Sequence, residues 1–139
     1  MKAKFLFFIA LIAIITIFIF QFGMSSKISF STEESAEIDK IVLRALNPSD
    51  KISDQTLSDS SKTKEIWGYF NSIKLKEVKS FETYTKPSNE WELIFYYYDG
   101  SGDSLEILYE GSLIRKDGKI YIPVESKVDI ENIIKYFLN

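Results

Sequence analysis

The chain has no cysteine and no histidine in its 139 residues. Their absence closes most catalytic designs, because there is no Ser-His-Asp triad, no Cys-His pair and no imidazole or thiolate metal site. It also excludes disulfides and a lipid-modified cysteine. What remains for catalysis is a carboxylate pair, a lysine-activated serine or an oxygen-ligated cation. Arginine is scarce too, occurring only as Arg44 and Arg115. With Lys2 and Lys4 set aside, 15 basic residues face 20 acidic ones, so the chain beyond residue 26 carries a charge near −5. Nucleic-acid binding needs clustered Lys and Arg. No nucleic-acid partner is therefore expected, nor a polybasic hold on anionic lipid.

One long segment lacks charge altogether. Phe5 to Phe20 (FLFFIALIAIITIFIF) has Thr16 as its single polar side chain, and apolar sequence resumes after Gln21 as far as Met24. A helix over residues 5–24 would be about 30 Å long at roughly 1.5 Å per residue, enough to cross a bilayer core. Phe, Ile and Leu cover every face, which excludes an amphipathic surface helix. Lys2 and Lys4 precede the run and the first acidic residue is Glu33. This charge order holds the N-terminus in the cytoplasm and places the remainder outside. A signal peptide has an apolar region of about 7 to 15 residues and a small-x-small cleavage site. The run here is longer, and Gly23-Met24-Ser25 is a weak match. The expectation is a single-pass anchor within residues 1–26, with membrane contact through residues 5–24. Secretion after signal cleavage is the alternative.

Residues 27–139 are enough for one domain with its own core and no staples. Lys27 to Ser31 reads as a short strand or stalk, and residues 32–37 as an acidic loop. Ile38 to Leu46 satisfies both a strand and a helical stripe (Ile38, Ile41, Val42, Ala45), and its β-branched content favours the strand. Asn47-Pro48 ends it. Residues 47–61 read as a polar loop, and one member of Asp59-Ser60-Ser61 should cap a helix over about 62–73. That helix would bury Ile66, Trp67, Phe70 and Ile73, with Gly68 marking close packing. Strand pattern returns over 75–85, followed by a turn at 86–89. Glu90 to Tyr98 (EWELIFYYY) is the strongest strand, dense in aromatic and β-branched residues. Asp99 to Asp103 closes a hairpin onto residues 104–110. A further hairpin joins residues 113–115 to 119–124 through Asp117-Gly118, a pair suited to positive φ. The closing helix should start near Ser126, with Asp129 completing a capping box, and bury Ile130, Ile133, Ile134, Phe137 and Leu138. This order of elements predicts an α+β fold: an N-terminal membrane helix, then an antiparallel sheet with two helices on one face.

Three groups of residues are candidates for chemistry. Asp99, Ser101, Asp103 and Glu110 have the 1-3-5-12 spacing of a calcium loop. Position six is Ser104 and the flanks are strands, so a plain hairpin turn accounts for them and no metal or other cofactor is expected. Glu106 and Glu110 would sit roughly 13 Å apart along one strand face, too far for a glycosidase-like pair at about 5 to 9.5 Å. The third group is a sheet face. If the helices cover the side of Trp91, Leu93, Phe95 and Tyr97, and if Ile120, Ile122 and Val124 point inward, the opposite face presents Ile94, Tyr96, Tyr98, Leu108 and Tyr121. Exposed apolar groups of this kind mark contact sites, while a cross-strand aromatic ladder would account for the same residues without a partner.

The run Lys79–Gly100 (KSFETYTKPSNEWELIFYYYDG), the helix KTKEIWGYFNSIK, and the succession of KIYIPVE and DIENIIKYF carry a likeness. They resemble a domain-of-unknown-function family found on short, signal-bearing proteins of low-GC Gram-positive bacteria. The resemblance covers residues 27–138 and implies an extracytoplasmic α+β domain. It brings no catalytic residues with it. The expected function is non-catalytic: an anchored extracytoplasmic domain that binds a protein or cell-envelope component. The alternative is an immunity or inhibitor protein against a secreted toxin or hydrolase, its acidic surface suited to a basic target.

Overall fold

The computed structural model describes residues 2–22, 26–31, 34–47, 53–79 and 90–138. Helix α1 (Lys2–Phe22) is followed by a 3-10 turn (Ser35–Glu37), strands β1 (Ile38–Ala45) and β2 (Gln55–Leu57), and helix α2 (Ser60–Ser72). Strands β3 (Leu75–Val78), β4 (Trp91–Tyr97) and β5 (Gly102–Leu108) come next. A second 3-10 turn (Tyr109–Gly111) leads to β6 (Leu113–Lys116), β7 (Lys119–Pro123) and α3 (Ile130–Leu138). The fold is α+β. The seven strands among the described residues form one antiparallel sheet in the order β2-β1-β4-β5-β6-β7-β3.

The consecutive strands β4 to β7 make the expected meander. Beyond it, α2 links the two edges of the sheet, entering from β2 and leaving into β3. Seven strands span about 29 Å at roughly 4.8 Å spacing, and 13 helical residues cover about 20 Å of that. The helix therefore lies across one sheet face. Ile66, Trp67 and Phe70 from α2 and Ile130, Ile133 and Phe137 from α3 join a single core with Ile41, Leu43, Leu93, Phe95, Leu105, Ile107 and Ile114. Both helices thus cover the same face.

Local chemistry explains most boundaries. The Asp59 carboxylate accepts from the backbone N–H groups of Ser61 and Lys62, both at 3.0 Å, so Asp59 starts α2. Asp129 does the same for α3 through the Asn132 N–H at 3.1 Å, displacing the cap expected at Ser126. At the far end of α3 Ile134 is half-buried and Leu138 is exposed. A Cβ on Gly68 would meet nothing within 4 Å, so close packing is not why glycine stands there. The double pattern of residues 38–46 comes from a bulge. Pairing with β4 shifts register between Ile38 and Lys40, and the extra residue turns both Ile38 and Ile41 into the core.

Three expectations are corrected, and a fourth lies largely outside the described residues. Residues 55–57 form a short edge strand, paired through Leu57 opposite Ile41, where only loop was expected. Lys27–Ser31 is not a strand; a single bridge joins Ser26 to Leu75, and Ile28 is buried. Glu110 is not on β5 but in the following turn with φ 56°. The described strand after α2 ends at Val78, and the expected continuation and the turn at 86–89 lie outside the described residues.

Helix α1 has a 21-residue helical backbone, and its described side chains, Lys4 and Leu6 to Ile17, are all exposed. Among the described residues no helix is long and apolar enough to cross a membrane. The described apolar side chains of α1 cover only the stretch from Leu6 to Ile17, shorter than the about 20 residues a span requires.

Candidate functional site

Alternation along β4 buries Trp91, Leu93, Phe95 and Tyr97 and leaves Ile94 and Tyr96 half-buried on the other side. Tyr98, just past the strand, is 69% exposed, and its N–H donates to the Glu37 carbonyl at 3.0 Å. Tyr96 lies opposite Lys40, and Ile94 opposite Val42. The Lys40 ammonium stands 5.3 Å from the centre of the Tyr96 ring, within cation–π range.

The other two residues of the expected contact face lie elsewhere. Tyr121 is opposite Ile114 on the covered side of the sheet and only 6% exposed. Its neighbours Ile120 and Ile122 face outward and are half-buried, and Val124 is 57% exposed. The facing of β7 is therefore the reverse of the one expected. Leu108 does lie on the outer side, opposite Leu113, but both are buried. The outer surface that stays open thus centres on Lys40, Val42, Ile94, Tyr96 and Tyr98.

A charged row crosses this surface. Glu92 and Glu106 are direct cross-strand partners, an unfavourable pairing for two like charges. Each is matched by an arginine: Arg44 bridges Glu92 at 3.2 Å and Asp54 at 3.0 Å, and Arg115 bonds to Glu106. The two arginines of the chain thus both serve this row. Glu106 is held by Arg115, and Glu110 is off the strand, so the two do not form a carboxylate pair.

The most elaborate polar constellation lies at the opposite, covered side, where the β4–β5 and β6–β7 hairpins end. Lys116 and Asp103 have side chains only 3% and 8% exposed, with Nζ 2.9 Å from Oδ1. The Tyr97 hydroxyl donates to Asp103 Oδ2 at 2.6 Å. Ser31 adds its backbone N–H at 2.7 Å and its hydroxyl at 3.1 Å. Asp103 therefore accepts four hydrogen bonds, about the full acceptor capacity of a carboxylate. Lys116 is also bonded to Asp117 at 2.7 Å, and its ammonium lies 5.9 Å from the Phe30 ring centre.

Burial works to raise the Asp103 carboxyl, but hydrogen bonds from Lys116, Tyr97 and Ser31 outweigh it and hold the group below its ordinary value. Burial likewise works to lower Lys116, and its bonds to Asp103 and Asp117 carry it above the ordinary lysine value. Burial, reinforced by the bond to Asp103, pushes the Tyr97 hydroxyl upward. At neutral pH the site is a closed ion pair with a protonated tyrosine. Lys116 in this state is no nucleophile, and Ser31 donates to a carboxylate rather than to a free amine.

The calcium-like spacing does not assemble. Asp99 turns back to accept from the Ser101 N–H and hydroxyl at 2.8 and 2.6 Å, while Asp103 points inward to Lys116. Among the described residues no group of three or more acidic side chains is placed to hold a metal ion. Sequence reasoning did not find the Asp103–Lys116–Tyr97–Ser31 cluster. Its one signal was Lys116 at an inward-alternating position two residues after Ile114, which reads as a solvated turn residue until Asp103 is placed beside it.

Neither a family model, nor a curated protein, nor a solved structure matches the chain.

Proposed function

We propose that this chain is a membrane-anchored, extracytoplasmic, non-catalytic domain that binds a protein or cell-envelope partner. The observation that carries the anchor is the uncharged apolar sequence from Phe5 to Phe20, on a helical backbone whose described side chains are all exposed. A helix with apolar groups on every face needs an apolar surrounding. The charge order of Lys2, Lys4 and Glu33 supports an outside location for residues 27–139. The likeness to a Gram-positive extracytoplasmic domain family belongs to this same reading. Protease added to wall-stripped cells should digest the domain and spare a cytoplasmic control. Protection of the domain would overturn the topology.

The contact surface in this reading is the open outer sheet face, reduced to Val42, Ile94, Tyr96 and Tyr98. Aromatic groups there gain contact energy only when a partner removes water from them. Tyr96→Ser combined with Tyr98→Ser should leave melting within a few degrees of wild type and weaken partner capture from the envelope fraction. Undiminished capture by the folded double variant would remove this face. The acidic balance of residues 27–139 favours one second reading, an immunity or inhibitor protein for a basic secreted toxin or hydrolase. A strong fall in partner affinity with added salt would distinguish it from an apolar contact.

A further inference from the structure

The segment that joins α1 to the domain is tied down at both ends. At one end Ser26 exchanges two backbone hydrogen bonds with Leu75 on edge strand β3, at 2.7 and 3.2 Å. In the middle Ile28 is 3% exposed, and the Phe30 ring packs 5.2 Å from Phe95 and 6.0 Å from Trp67. At the other end Ser31 gives both its N–H and its hydroxyl to Asp103. Six residues thus cross the covered face from the β3 edge to the β4–β5 hairpin. A simple stalk would need none of these contacts.

We propose that residues 26–31 are a closing strap, that Asp103 with Lys116 and Tyr97 is its latch, and that the latch sets how far the domain stands from the end of α1. With the strap closed, the chain from Phe22 to Ser26 can span at most about 14 Å at roughly 3.5 Å per residue. With the strap open, the next anchor among the described residues is Glu34, whose carbonyl accepts from the Glu37 N–H at 3.1 Å. The tether from Phe22 then covers 12 residues and reaches at most about 42 Å at roughly 3.5 Å per residue. Opening changes the reach of the domain about threefold and lifts Ile28 and Phe30 off the core, while the strand pairing of the sheet stays in place. The latch is suited to this task because Asp103 draws its donors from the strap and from the hairpins alike. Losing the strap removes two of its four bonds and leaves the pair with Lys116 intact. The standoff part rests on the anchored reading; the strap itself does not.

The test uses the full chain in phosphatidylcholine nanodiscs. Trypsin cuts after Lys27 only when the strap is open, so the rate of that cut reads the latch. Ser31→Pro removes both bonds from Ser31 without orphaning Lys116. It should speed the Lys27 cut about tenfold or more, the factor expected from losing a charge-assisted hydrogen bond. Asp103→Asn should act in the same direction; if it unfolds the domain, Ser31→Pro decides. Equal Lys27 cutting in wild type and in folded Ser31→Pro would overturn the strap. Standoff is read by a dye on Asn71→Cys, unique in a chain without cysteine, and an acceptor on the lipid headgroup. Energy transfer should fall in Ser31→Pro. Unchanged transfer alongside faster cutting would overturn the standoff role, and failure of the wild-type chain to enter nanodiscs would instead overturn the anchor.

Discussion

Replacing Asp103 with leucine tests whether the buried ion pair is needed for folding or only for register. Lys116 would keep a 3% exposed side chain and lose its buried partner. Removing one member of a buried pair costs about 3 to 5 kcal/mol. Asp117, with a side chain 72% exposed, still reaches Nζ at 2.7 Å, which places the loss near the lower end, about 3 kcal/mol. Lys116→Met should cost less, about 1 to 3 kcal/mol, because Asp103 keeps the donors on Tyr97 and Ser31. Combining the two removes the stranded charge but orphans the Tyr97 hydroxyl, so the double variant should be more stable than Asp103→Leu alone. The assay is urea unfolding followed by fluorescence of the buried Trp67 and Trp91. A loss of about 3 kcal/mol lowers the midpoint by about 1 to 2 M for a domain of this size. Equal losses for Asp103→Leu and the double variant would refute the argument, since stranded charge would then contribute nothing.

The same pair fixes a pH window. The groups facing Asp103 are Lys116, Tyr97 and Ser31, with Asp117 on Lys116 and Asp99 acting on Tyr97. Asp103 has its folded value depressed, so its contribution is present above the ordinary aspartate value and lost as pH falls through the folded one. Lys116 is raised, so its contribution is full below the ordinary lysine value and lost above the folded one. The stability of wild type relative to the double variant should therefore be flat between about pH 4 and 10 and fall outside it.

Two further substitutions test the core and the strained turn. Phe95 is fully buried on a central strand, so Phe95→Ala should cost about 3 to 5 kcal/mol; a melting temperature within two degrees of wild type would refute that packing. Gly111 sits at φ +88° with a hypothetical Cβ only 2.1 Å from the Val128 carbonyl oxygen. Gly111→Ala should therefore lose well over 1 kcal/mol and the Val128 N–H to Gly111 bond at 2.8 Å, read as faster amide exchange at Val128; unchanged exchange would show that the turn relaxes freely.

Local pattern determined the elements whose signal lies in their own residues. The density of β-branched and aromatic side chains made β4 legible, the Asp117-Gly118 pair announced its hairpin through positive φ at both residues, and the Asp59-Ser60-Ser61 cluster marked the start of α2, with the structure selecting Asp59 as its cap. The uncharged run of residues 5–20 is likewise a property of sequence alone. Tertiary structure decided the rest, because it depends on partners distant in the chain. Strand β2 has three residues, too few for a period, and exists because Ile41 offers Leu57 an opposite number. The facing of β7 followed register: once Ile114 points inward, the hairpin brings Tyr121 with it, whatever the hydrophobicity of Ile120 and Ile122. Lys116 is buried because Asp103 and Tyr97 arrive from two other strands and Ser31 from 72 residues before Asp103. No sequence window contains that meeting, since desolvating a charge is tolerated only where the fold supplies its counter-ion.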